Sequence, residues 1–131
     1  MARARPTVVC LDTHIICWLF EGRVELLSDK AKQTIEECRL LISPLVDLEL
    51  HYLFEIGRIN KTPKAVITKL VSMLGVRFTY IPTHEMIARA RHLVWTRDPF
   101  DRMIVADAIC SKAGLITKDR LIREKFDGAI W

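Results

Sequence analysis

Asp12, Glu49, Asp101 and Asp119 are far apart in the chain, yet each lies beside a short apolar run or at a helix start. Asp12 directly follows "TVVCL" (7–11), and Asp119 follows "LIT" (115–117) after a single lysine. Glu49 lies in the helix that follows "RLLIS" (39–43), and Asp101 in the first turn of "DPFDRMIVADAICSKAG". In an open α/β sheet, functional groups collect at the carboxyl ends of the strands, so these four carboxylates can face one crevice. Clustered carboxylates repel one another unless something positive sits between them. Hard oxygen donors of this kind suit Mg²⁺ or Mn²⁺, with several waters retained. Such ions activate water and stabilise the charge that develops during in-line attack on a phosphodiester.

Each acid also has a structural reading. Asp12 and Asp119 can each cap the helix that follows. Asp98 is the expected N-cap of its helix, with Pro99 at the first helical position and Asp101 at the third, a pattern like a capping box at a positive helix end. Glu49 shares its side of the helical wheel with Leu45, Val46, Tyr52, Leu53 and Ile56, while Asp47, His51, Glu55 and Arg58 fall on the other side. A carboxylate in an apolar stripe needs a partner, either a buried cation or a metal. Thr13 and Thr117 can orient a carboxylate or a water by hydrogen bonds, or serve as a cap and a strand-end hydroxyl. Four acids at equivalent ends of a sheet are harder to explain as four independent caps than as one site.

The elements that would position them alternate. Strands are expected over 7–11, 39–43, 76–81 and 115–117, with "AIW" as a last one. Helices are expected after Asp12 or Thr13 and stopping at Gly22, after Ser28, and from Pro44 to Gly57. Others are expected from Thr62 and Pro63, from Thr83 as cap to Trp95, from Asp98 to Gly114, and over "KDRLIREKF". Short apolar strands between helices predict an α/β fold with a central, mostly parallel sheet of four to five strands and helices on both faces. The 131 residues fit one domain, spanning 1–131, with residues 1–6 as a short basic tail rather than a secretory leader.

Composition narrows the class less. Half of the residues are hydrophobic and 27% are charged, as in ordinary globular proteins, and no apolar run reaches the ~20 residues of a membrane span. Cys10, Cys17, Cys38 and Cys110 form no CxxC pair, which favours free thiols in a reducing cytoplasm over a zinc site. The net charge is +4, and nine Lys or Arg against five Asp or Glu fall between Arg89 and Lys125. If several of those acids bind metal, the surface around them is basic, which permits a nucleic-acid partner. Arg97, Arg102, Lys118 and Arg120 flank Asp101 and Asp119 and are either candidates for nucleic-acid phosphates or ordinary solvated charge. His14, beside Asp12, is either a rim residue touching such a partner or a packing or capping residue. Asp107 lies about 120° from Asp101 on the helical wheel, which points it away from the metal and toward solvent or a dimer surface, with an outer role near the site as the alternative.

"LDTHIICWLF", "ISPLVDLEL", "RDPFDRMIVADA" and "LITKD", in that order, resemble a PIN domain over nearly the whole chain. "DTH" and "RDPFDR" are similar to the VapC-type toxins of prokaryotic toxin–antitoxin pairs. The resemblance implies a ribonuclease dependent on Mg²⁺ or Mn²⁺, with Asp12, Glu49, Asp101 and Asp119 as metal-binding catalytic acids. It further implies homodimers and neutralisation by a small antitoxin protein. The acid at Asp107 departs from the family, where that position is usually small or uncharged. Two other readings differ in class. One is a catalytically silent PIN-like module that grips RNA or protein. The other is a receiver-like or phosphatase-like domain, which lacks the paired acids and the DxD motif it needs, since His14 stands two after Asp12.

Overall fold

Strand β1 (Val8–Leu11) lies at the centre of the molecule. It pairs in parallel with β2 (Arg39–Ile42) on one side and β4 (Gly114–Ile116) on the other. β3 (Arg77–Phe78) and β5 (Ala129–Ile130) add parallel edges, giving the order β3-β2-β1-β4-β5. Val9, Cys10 and Leu11 are all buried although successive residues point to opposite faces, so both faces of β1 are covered. This computed structural model describes residues 7–131; the basic tail expected over 1–6 lies outside the described residues.

Among the described residues, seven α-helices connect the strands: α1 (Thr13–Glu21), α2 (Asp29–Glu37), α3 (Pro44–Glu55), α4 (Pro63–Leu74), α5 (Thr83–Ala90), α6 (Pro99–Cys110) and α7 (Arg120–Lys125). Three begin alike, with a hydroxyl or carboxylate cap followed by proline: Ser43-Pro44, Thr62-Pro63 and Asp98-Pro99. The cap side chain accepts a free N–H of the first turn, and proline needs no partner for the N–H it lacks. The chain order reverses between β1 and β4, which are neighbours although β2 and β3 come between them in sequence. A crevice opens at the carboxyl end of such a switch point.

Several boundaries differ from expectation. A single 3-10 turn (Val24–Leu26) precedes α2. β3 is two residues long rather than 76–81, a short edge strand of the kind that discourages further pairing. α5 is capped at Pro82 and ends at Ala90, not Trp95, and Leu93 and Trp95 pack on the core from the turns beyond it. α6 ends at Cys110, and Gly114 opens β4 instead of closing the helix.

The outward placement expected for Asp107 is wrong. Ile104–Ala108 is buried without interruption, so this part of α6 has no solvent face. Asp107 is fully buried and accepts hydrogen bonds from Thr79 Oγ1 at 2.5 Å and Ser111 Oγ at 3.2 Å. Two hydroxyl donors replace the water that burial removes. The bond from Thr79 ties the end of the short edge strand to α6.

Candidate active site

The switch point is built from Asp12 outward. Its backbone N–H donates to Ile116 O at 3.1 Å, continuing the β1–β4 ladder. Its side chain caps α1 by accepting Thr13 N–H at 2.8 Å through Oδ1. The other oxygen, Oδ2, accepts from Thr117 Oγ1 at 2.6 Å. Thr117 Oγ1 in turn accepts the Asp119 N–H at 3.0 Å, and Asp119 Oδ1 caps α7 by accepting Ile122 N–H at 2.9 Å. Asp12, Thr13 and Thr117 are buried. One hydroxyl therefore couples the two strand-end acids; each caps the helix that follows it and also lines the crevice.

His14 braces the same junction. Its Nε2 accepts the Lys118 N–H at 2.9 Å, and its Nδ1 lies 3.6 Å from Asp12 Oδ2. Burial lowers its pKa, against the opposing pull of Asp12 and Asp119 and with help from Lys118. The ring is therefore neutral at pH 7 and acts as a bracket between α1 and the loop after β4.

Glu49 arrives from α3. Thr13 Oγ1 donates to its Oε1, linking the acid to the first residue of α1. The apolar stripe expected around Glu49 is displaced: Val46 and Leu50 are buried, whereas Tyr52 and Ile56 are 50% and 49% exposed. Glu49 lies at the rim of the buried stripe, half-buried and facing the crevice. Asp101 arrives from the first turn of α6. Asp98 Oδ1 accepts the N–H groups of Phe100 at 2.8 Å and Asp101 at 3.1 Å, so the cap expected there holds the backbone from which Asp101 projects.

The four acids line one open cavity of about 560 Å³, with Asp98 and Glu21 as further acids on its wall. Their electrostatics is that of crowded like charge. The Asp101 carboxyl is pushed up to about 7, by burial first and then by the charges of Asp98, Asp12, Asp119 and Glu49. Burial also raises Glu49, and Asp12 and Asp98 add to this, while the Thr13 hydrogen bond works the other way. Cys17, on the same wall, has its thiol pushed up to about 11 by burial, with Glu21 and Glu49 adding. It is a neutral surface there, not a thiolate.

The basic residues divide by position. Among His14, Arg97, Arg102, Lys118 and Arg120, only His14 lines the cavity. Arg102 Nε donates to Thr96 O at 2.7 Å and braces the loop before α6. Arg120 pairs with Glu124 at 3.1 Å on α7, and Lys118 Nζ lies 5.9 Å from the Trp18 ring centre. The cavity is instead lined by Arg23 and Arg58, which sequence reasoning passed over. Arg58, expected on the solvated side of α3, is exposed; it lies past the helix end at Glu55, on the cavity rim. The glycine directly before each arginine marks a helix end in the sequence, but not where the arginine is aimed.

The donor set fits a hard divalent cation in chemistry: carboxylates from four elements, oriented by threonine hydroxyls, and, among the described residues, no compensating ion pair to any of the four acids beyond the neutral His14 contact. As the side chains stand, no three of the described acidic, histidine or cysteine groups are close enough together to hold one ion. Spread-out acids are what mutual repulsion produces.

Comparisons with known proteins agree with this geometry. The chain is 31% identical to Ribonuclease VapC22 of Mycobacterium tuberculosis (strain ATCC 25618 / H37Rv) over 123 residues, which is 89% of this chain and 91% of that protein. Its fold is similar to a toxin–antitoxin complex from Klebsiella pneumoniae, with a TM-score of 0.68, 21% identity and coverage of 94% and 96% of the two chains. It is also similar to VapBC2 from Rickettsia felis bound to a promoter DNA fragment, with a TM-score of 0.65, 16% identity and coverage of 93% and 95%. The model of the PIN domain matches residues 9–125, from the first strand through α7. With the parallel sheet, the switch-point crevice and this match all in agreement, the chain belongs to the PIN domain family.

Proposed function

We propose that this protein is a metal-dependent endoribonuclease, the toxin of a toxin–antitoxin pair. The observation that carries the reading is the convergence of Asp12, Glu49, Asp101 and Asp119, from four separate elements, on one cavity at the sheet's switch point. The 31% identity to a VapC ribonuclease over nearly the full length supports the same chemistry.

Asp12, Glu49, Asp101 and Asp119 would hold Mg²⁺ or Mn²⁺, which when bound supplies an activated water and stabilises charge on the phosphodiester oxygens. The chain's own residues prepare that site. Thr117 fixes one Asp12 oxygen and the backbone of Asp119. Thr13 fixes Glu49. Asp98 holds the first turn of α6 so that Asp101 projects into the crevice beside the positive helix end. His14 is neutral, with Nε2 occupied by the Lys118 N–H, so it positions the loop and leaves proton transfer to other groups.

The substrate is RNA and the neutralising partner a small antitoxin protein, a reading supported by the matched toxin–antitoxin complexes. Leu48 and Tyr52 on α3 and Ile56 at its C-cap, each about half exposed, are apolar surface of the sort that a protein partner or a second copy in a homodimer covers. A cytoplasmic setting follows from the RNA substrate. No helix among the described residues is long and apolar enough to cross a membrane.

The test is cleavage of a fluorophore–quencher RNA by protein stripped with EDTA, before and after Mn²⁺ is restored. Cleavage that returns with the metal supports the reading; cleavage that persists in excess EDTA overturns it.

A further inference from the structure

Helices α1 and α3 end in the same way. α1 closes on "EGR" (21–23) and α3 on "IGR" (56–58). Each glycine has a left-handed φ, 71° at Gly22 and 78° at Gly57. Each glycine N–H donates three residues back, to Leu19 O at 3.2 Å and to Phe54 O at 3.1 Å. Each arginine N–H donates five residues back, to Trp18 O at 2.8 Å and to Leu53 O at 2.9 Å. This paired bonding is the Schellman ending of a helix.

The residue after the glycine in such an ending is commonly apolar and folds over the last turn. α4 follows the same rule with a simpler, single-bond ending: Gly75 turns at a φ of 66° with its N–H on Val71 O at 3.0 Å, and Val76 after it is buried. α1 and α3 break it in the same manner. Both place arginine there, and both arginines line the crevice that contains the four carboxylates. Their backbone positions are fixed by their own hydrogen bonds, so the side chains start from rigid points.

Among the described residues, the crevice wall carries six carboxyl groups and two guanidiniums, those of Arg23 and Arg58. Arg58 has no ion pair among the described residues. Arg23 has one contact, 3.4 Å to Glu25, with both side chains more than half exposed, a pairing of little energetic weight. Two rim guanidiniums that leave the adjacent acids unpaired are available to an outside anion.

We infer that Arg23 and Arg58 bind RNA phosphates and seat the strand over the carboxylates. The inference rests on the ribonuclease reading above and supplies what that reading lacks, a source of attraction for a polyanion at an acidic crevice. Guanidinium forks match phosphate oxygens in a bidentate manner. Contacts of this type position the strand and carry no base information, so their loss weakens binding to all sequences alike.

The experiment is fluorescence anisotropy with labelled 12-nucleotide single-stranded RNAs of two unrelated sequences, in EDTA, across a range of KCl. Wild-type protein is compared with Arg23→Ala, Arg58→Ala, the double variant and Arg120→Ala. Each crevice substitution is expected to weaken binding several-fold on both RNAs and to reduce the slope of log K against log salt by about 0.7, and the double variant by about twice that. Arg120→Ala, on α7 outside the crevice, is expected to do less on both counts. A double variant with the affinity and slope of wild type overturns the inference, as does a wild type that does not bind either RNA. Failure of the ribonuclease reading looks different: RNA binds through these arginines, yet no cleavage follows when Mn²⁺ is added.

Discussion

The Thr117 hydroxyl donates to Asp12 Oδ2 at 2.6 Å while accepting the Asp119 N–H at 3.0 Å, so a single side chain registers two acids on neighbouring strands. Thr117→Val keeps the shape and removes both bonds. It is expected to reduce metal affinity or cleavage by roughly 10- to 100-fold, as loss of a hydrogen-bonded support for a ligand does. Thr117→Ser is expected to retain most of the activity. Steady-state cleavage by the two variants, at matched folded fraction, checks this.

Asp101 gives the metal-free protein a pH-dependent weakness. Its carboxyl is raised from 3.8 to about 7 in the fold, so the folded chain binds that proton more tightly than the unfolded chain does. The resulting stability is complete below 3.8 and is lost as pH rises through 7. Asp101→Asn cannot ionise. In EDTA it is expected to melt at a higher temperature than wild type at pH 8, with the gap shrinking steadily toward pH 4. A gap that is constant with pH, or reversed in sign at pH 8, contradicts the crowded-carboxylate account.

Metal addition should relieve the same repulsion. Mn²⁺ at about 100 times its dissociation constant is expected to stabilise the wild-type fold by about 2.7 kcal/mol through linkage. Asp101→Asn and Asp12→Asn are expected to show a much smaller rise in melting temperature at the same Mn²⁺ concentration. Equal rises in all three proteins would place the ion elsewhere.

Asp107 belongs to stability rather than to the crevice. Asp107→Ala strands the buried Thr79 hydroxyl and loosens the tie between β3 and α6. A loss on the order of 1–3 kcal/mol is expected in urea unfolding, with a smaller loss for Asp107→Asn. Unchanged unfolding of the alanine variant would show that the Thr79 and Ser111 bonds contribute nothing net.

Much of this architecture was legible in the sequence. The Ser-Pro, Thr-Pro and Asp-Pro pairs mark three helix starts because cap and proline solve the same backbone problem together. The acids at the ends of β1 and β4 were legible because strand ends and switch points concentrate function. Less legible was everything decided by tertiary packing. The helical wheel assumed an outer face for Asp107, but α6 is enclosed from Ile104 to Ala108. It extended α3 past Glu55 and so missed that the exposed Arg58 lies on the crevice rim. Leu93 and Trp95 looked helical because they are apolar, yet they reach the core from turns. Gly22 and Gly57 were expected as stops, but a stop does not reveal where the next side chain is aimed.

The central claim is that the carboxylate crevice cleaves RNA. The most direct measurement is the rate of RNA cleavage at saturating Mn²⁺ by purified wild type, Asp12→Asn and Asp101→Asn, with folding checked by circular dichroism. The account predicts metal-dependent cleavage by wild type and background rates from both folded variants. Wild-type rates from either variant would contradict it.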